Sequence, residues 1–116
     1  SLGAAYFEYP SSGRGNFVLP VINSGSVPIT LNRVVLYWNN HGATSMYHDY
    51  TELGSDRFWD GTGYSSPTDS GTVAVVLSNN ATENLLARFR NIPNPPTWML
   101  ADFAGTTLYF DNNRAC

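Results

Sequence analysis

FVLPVINSGSVPITLNRVVLYW, residues Phe17 to Trp38, decides the architecture of this chain. Two runs rich in β-branched and aromatic residues, Phe17–Ile22 and Arg33–Trp38, flank the turn formers Asn23, Ser24, Gly25 and Ser26 and a short Pro28-Ile29-Thr30-Leu31 segment. Such side chains fit a pleated, half-buried surface, so both runs read as antiparallel strands. Successive strand side chains alternate, which places Val34, Leu36 and Trp38 on one face and Arg33, Val35 and Tyr37 on the other. The first set is assigned to the core. Proline donates no ladder hydrogen bond, so Pro20 and Pro28 mark edges, bulges or kinks. Pro28 is expected where the chain crosses from one sheet to the other.

The same grammar extends in both directions. Ala4–Tyr9 reads as a first strand, ended by Pro10 and the flexible stretch Ser11 to Gly15. Thr72–Leu77 (TVAVVL) is apolar on both faces and is assigned as a central strand. In Ala81–Arg90, Thr82 and Glu83 could open a helix, but Leu85, Ala87 and Phe89 alternate with Leu86, Arg88 and Arg90. The segment is therefore assigned as a strand, stopped by Pro93, Pro95 and Pro96. Thr106–Phe110 is expected to bury Leu108 and Phe110. The fold class is all-β: an antiparallel sandwich of about seven to eight strands. It forms a single domain over residues 1–116, in which residues 1–10 form an edge strand or one exchanged with a neighbour.

Composition narrows the function. Charged residues make up 13% of the chain, lysine is absent and all six basic residues are arginine, against about 25% charge in typical soluble proteins. A surface so poor in charge and rich in aromatics is explained by contacts with other subunits or by attached glycans. A net charge of −3 without a basic run leaves nucleic-acid binding no electrostatic source. No stretch approaches the roughly 18 apolar residues that span a bilayer. The start at Ser1 fits a mature chain whose leader has been removed, or a piece of something longer. Cys116 is the single cysteine, so an intramolecular disulfide is impossible. A small buried thiol, a partner lost beyond the chain end and an intermolecular bridge all fit it.

Candidate chemistry gathers in Asn39–Ser70, read as a long displayed segment holding both histidines and five acids. Asp56, Asp60 and Asp69 offer oxygens for calcium, but their spacing lacks the EF-hand pattern, and turn formation explains Asp60-Gly61. His41 and His48, seven apart without a paired cysteine or an HExxH arrangement, read as solvated loop histidines rather than zinc ligands. No Gly-x-Ser-x-Gly elbow or singled-out carboxylate pair supports hydrolysis, and neither enzyme activity nor a cofactor is expected. Carbohydrate is the small ligand that fits best. Trp59 and Tyr64 would stack on a sugar, and Asp56 and Asp60 would accept its hydroxyls. Alternatively, Phe58 and Trp59 pin the segment to the sandwich. The sequon Asn80-Ala81-Thr82 sits in a turn suited to glycosylation.

A family resemblance rests on short motifs. The order Asn23-Ser24-Gly25-Ser26-Val27-Pro28-Ile29-Thr30-Leu31, followed by a strand ending in Trp38, resembles small secreted bacterial β-sandwich modules. Gly54-Ser55-Asp56-Arg57-Phe58-Trp59-Asp60-Gly61, Ser66-Pro67 and the closing Phe110-Asp111-Asn112-Asn113-Arg114-Ala115-Cys116 are similar to further features of those modules. The closing motif departs by two extra residues before the cysteine. The resemblance implies an immunoglobulin-like module at the cell surface or secreted, and it carries no catalytic residues across. The expected function is an extracellular structural subunit, a homo-oligomer or polymer forming a filament, tube or surface layer. A carbohydrate-binding module of a larger cell-surface protein is the alternative.

Overall fold

Alternating apolar positions and glycine- or asparagine-led turns build ten strands and one short helix among the described residues. These are β1 (Tyr6–Ser11), β2 (Arg14–Ile22), β3 (Ile29–Leu36), β4 (Tyr47–Leu53), β5 (Asp56–Gly63), β6 (Thr68–Asp69), β7 (Val75–Leu77), β8 (Thr82–Arg90), a 3-10 helix (Leu100–Phe103), β9 (Thr107–Phe110) and β10 (Arg114–Ala115). The structure, a computed structural model, describes residues 1–93 and 95–111 and the backbone of 114–115. Cys116 lies outside the described residues. One antiparallel sheet runs β1-β2-β8-β4-β5; the other runs β10-β9-β3-β6, with β7 also paired to β3. The chain is an all-β sandwich. Seven of the strands have four or more residues, and the short β6, β7 and β10 make up the rest.

The two inner faces meet over a continuous core. Phe17, Leu19 and Val21 of β2 and Leu85, Ala87 and Phe89 of β8 face Leu31, Val34 and Leu36 of β3 and Leu108 and Phe110 of β9. Burying each of these larger side chains stabilises the fold by about 1.5–3 kcal/mol. Leu31 and Val34 are three apart yet both inward, because one extra residue, Asn32, bulges between the pairs Leu31–Phe110 and Arg33–Tyr109. A bulge of one residue resets the alternation. The same device at Asp49 lets His48 and Thr51 of β4 both face inward.

One end of the sandwich is closed by aromatic rings. Phe103 of the 3-10 helix stacks on Phe17, with centroids 4.3 Å apart and planes 2° apart. Trp98 meets Phe89 and Phe103 edge-on. Gly15 makes room for it: a Cβ there would stand 2.6 Å from the Trp98 ring.

Several boundaries differ from expectation. Pro10 lies inside β1, at the irregularity between Glu8 and Ser11 where a ladder donor is not required. Residues 1–3 pair with β2, through Gly3 N donating to Pro20 O at 2.9 Å and a bridge from Leu2 to Val21. Pro20 has no N–H to offer on that side, and regular pairing with β1 begins only at Tyr6–Val18. Pro20 thus sits in an inner strand, at a gap in the ladder. Arg33–Trp38 is replaced by Ile29–Leu36, and Trp38 follows the strand while staying buried. Thr72–Leu77 is not a central strand. Only Val75–Leu77 is regular; it pairs with β3 alone, and Val76 is 62% exposed. An apolar run without alternation fits two covered faces, but here the second face is solvent.

Two of the crossings between the sheets meet at Asn23. The chain leaves β2 for β3 through residues 23–28, around Pro28, and returns from β7 to β8 through residues 78–81. Asn23 is 5% exposed. Its Nδ2 donates to the carbonyls of Val27 at 2.8 Å, Leu77 at 3.2 Å and Ser78 at 3.2 Å. Its Oδ1 accepts from Gly25 N at 3.0 Å, and its own N–H donates to Ala81 O at 2.9 Å. Removing the amide strands buried carbonyls of both crossings, each at about 1–3 kcal/mol. Asn23→Ala is therefore expected to lose about 2–4 kcal/mol in urea denaturation. Asn79→Ala, in the exposed turn, should stay within about 0.5 kcal/mol of the parent.

Candidate functional site

Three of the buried polar residues, His48, Thr51 and Thr68, lie together where β4, β5 and β6 meet. Alternation and the Asp49 bulge turn His48 and Thr51 of β4 inward, and a second irregularity between Thr51 and Glu52 brings Phe58 and Trp59 of β5 against them. Gly54, at φ +60°, makes the turn joining the two strands. The His48 ring is held between two aromatic faces, Trp59 at 4.2 Å and 19° and Phe89 at 5.0 Å and 23°. Its Nε2 lies 2.6 Å from Thr51 Oγ1 and 3.2 Å from the Tyr50 carbonyl. A carbonyl only accepts, which assigns the proton to Nε2 and leaves Nδ1 a buried lone pair without a partner. Beside it Trp38 Nε1 donates to Thr68 Oγ1 at 2.9 Å. Val34, Leu36, His48, Thr51, Phe58, Trp59, Thr68 and Ser70 enclose a cavity with room for about one water.

Burial pushes the His48 pKa down to about 4; the Tyr50 carbonyl and the Asp49 charge oppose this only in part. A charged ring here would carry an Nδ1–H with no acceptor. The imidazole is thus neutral at ordinary pH, and what it does is wedge the edge hairpin β4–β5 against β8. This overturns the expected solvated histidine, because the strand alternation carries His48 inward, where it is 2% exposed. The displayed segment Asn39–Ser70 is likewise mostly sheet: only its ends are loop, and Tyr47–Leu53 and Asp56–Gly63 form a hairpin.

The remaining sequence candidates are dispersed. Trp59 is half-buried with one face on His48, in an edge strand rather than a pinned loop. Tyr64 is 52% exposed and sits 5.4 Å from the Tyr47 ring. Asp56 and Asp60 are exposed on β5. Asp69 is engaged by Arg33, whose Nε donates to Oδ1 at 2.9 Å, and its carboxyl is held below the usual range chiefly by that bond. The calcium trio therefore does not converge. His41 stands in a loop with Nε2 2.8 Å from Asp102 Oδ2, an oxygen that also accepts from Met99 N and caps the 3-10 helix. Among the described residues no three His, Cys, Asp or Glu gather as a metal group. Asn80 lies in an exposed turn at φ +58°.

Sequence reading missed Asn16, Thr51 and Thr68 as buried polar residues. The two threonines look like ordinary strand surface, and nothing in the local pattern marks them. No family model, curated protein or solved structure matches this chain.

His48 sets a pH dependence. Its pKa lies below that of the unfolded chain, about 6.5, so its contribution is intact above that value and falls away as pH drops toward about 4. The expected loss is about 3 kcal/mol across that window. Urea denaturation at stepped pH should show it. His48→Gln should flatten the slope between pH 6.5 and 4.5 relative to the parent, whatever its absolute stability, and an unchanged slope would remove His48 as the cause.

Proposed function

We propose that this chain is an extracellular structural subunit that associates with copies of itself into a filament, tube or surface layer. The observation that carries this reading is an unguarded sheet edge. Exposed edges invite pairing, and proteins blunt them with charge, proline or bulges. β1 carries Glu8, Pro10 and an irregularity; β5 carries Asp56, Arg57, Asp60 and two irregularities. The edge running from Gly71 to Leu77 (GTVAVVL) has neither charge nor proline. Thr72, Ala74 and Val76 are exposed along it. Val27, 63% exposed, belongs to the same patch, since one nitrogen of Asn23 bonds both its carbonyl and that of Leu77. Uncharged, β-branched segments of this kind pair readily with another strand. The fitting partner is the same edge of a second copy, because antiparallel pairing about a two-fold axis matches a segment to itself; this contact closes a dimer, the unit that a further contact extends into the larger assembly. The scarcity of charge supports the same conclusion.

Light scattering behind size exclusion, run over a range of concentrations, tests this directly. The parent is expected to form dimers and larger species as concentration rises, with extended particles in negative stain. Val76→Lys, at an exposed position, should shift the population to monomer at least tenfold in apparent affinity with little change in Tm. A parent that stays monomeric at every concentration would end the assembly reading.

A further inference from the structure

The outer face of the β1-β2-β8-β4-β5 sheet holds Arg14, Arg57, Arg88 and Arg90, four of the six arginines in a chain of net charge −3. Register makes Arg14 and Arg90 direct cross-strand partners, and like charges so placed repel. Arg88 projects from the next row of the same face, opposite Asn16.

Two of these guanidiniums are anchored from beneath. Arg90 Nε donates to Asp49 Oδ2 at 2.7 Å. Arg88 Nε donates to Oδ1 of the buried Asn16, whose Nδ2 donates on to Glu8 Oε1 at 3.1 Å. Both anchors use the inner nitrogen, and the terminal nitrogens of Arg88 and Arg90 make no hydrogen bond among the described residues. Arg14 is exposed and has neither an ion pair nor a hydrogen bond among them. Tyr50 lies in the row of Arg88 and Tyr47 in that of Arg90. Arg57 and Arg88 flank the Tyr50 ring at 3.6 and 5.4 Å from its centroid. The result is a flat plate of oriented guanidinium forks and half-buried phenol rings.

A fork held through Nε presents two parallel N–H donors to a carboxylate or a sulfate. The acids on the same face narrow the ligand. Glu8, Asp49, Glu52 and Asp60 would repel a polyphosphate, whose charges are dense and close, and the negative net charge adds to this. A chain with sparse acidic groups and many hydroxyls meets no such penalty, since its hydroxyls donate to those carboxylates while its rings stack on tyrosine. We propose that this face binds an acidic polysaccharide, with Arg14, Arg88 and Arg90 gripping its carboxylate or sulfate groups. Trp59 packs inward on His48 and is not part of the site, Tyr64 borders it through Tyr47, and it lies on the other sheet from the Gly71–Leu77 edge, so it stands whether or not the chain assembles.

Calorimetric titration of the full chain tests this. The probes are polygalacturonate (carboxylate only), κ-carrageenan (sulfate only), neutral dextran and single-stranded DNA, each at low and high salt. One or both acidic polysaccharides should bind, which of them naming the anion, with affinity falling as salt rises and no heat from dextran. Arg14→Gln touches no internal network and should weaken binding about tenfold at unchanged Tm. Equal binding of dextran, tighter binding of DNA, no binding of either acidic chain, or full affinity in Arg14→Gln would each overturn the proposal.

Discussion

One side-chain amide holds the two sheets in register. The Asn23 carboxamide sits where the chain passes from β2 to β3 and where it returns from β7 to β8, and it serves backbone groups of both passages. Loops that cross a sandwich carry peptide groups away from both ladders, and each buried group needs a partner. A single asparagine meets several of those needs at once. It also fixes the end of β7 at Leu77 and the carbonyl of the exposed Val27 beside it.

Elsewhere the interior spends its polar groups on architecture. His48 fills a slot between Trp59 and Phe89, and Trp38, just past β3, donates to Thr68 of the neighbouring β6. At the far end, Phe17, Phe103 and Trp98 close the barrel of side chains where the strands run out. The ion pairs Arg33–Asp69 and Arg90–Asp49 lie near the surface and add little to stability. Their effect is to orient arginines and to end an edge strand. The outer surface, by contrast, keeps an uncharged edge on one sheet and an arginine–tyrosine plate on the other.

Much of the architecture was legible in the residues. Alternation in Val34 and Leu36, in Leu85, Ala87 and Phe89, and in Leu108 and Phe110 located three core strands, and Pro28 marked a true crossing between sheets. What escaped has a common cause: a period-two rule cannot see where the period slips. Bulges at Asn32 and Asp49 re-aim the residues after them, which brings Val34 and Thr51 inward, and His48 was read as solvated because its segment was read as a displayed loop when it is strand. Apolarity on both faces of TVAVVL suggested two covered sides, because composition does not tell a buried strand from an unguarded edge. Asn23 was read as a turn former; its side chain's long-range partners are 54 and 55 residues away and leave no local trace.

The central claim is that the chain presents Gly71–Leu77 to another copy while β1 and β5, the edges of the other sheet, are defended. Amide hydrogen exchange followed by mass spectrometry, on dilute and concentrated protein, tests this residue by residue. The account predicts that peptides covering Gly71–Leu77 and the adjoining Asn23–Pro28 turn gain protection on concentration, with β1 and β5 unchanged. Protection appearing at β1 or β5 instead, or particles that grow with no change along Gly71–Leu77, would contradict it.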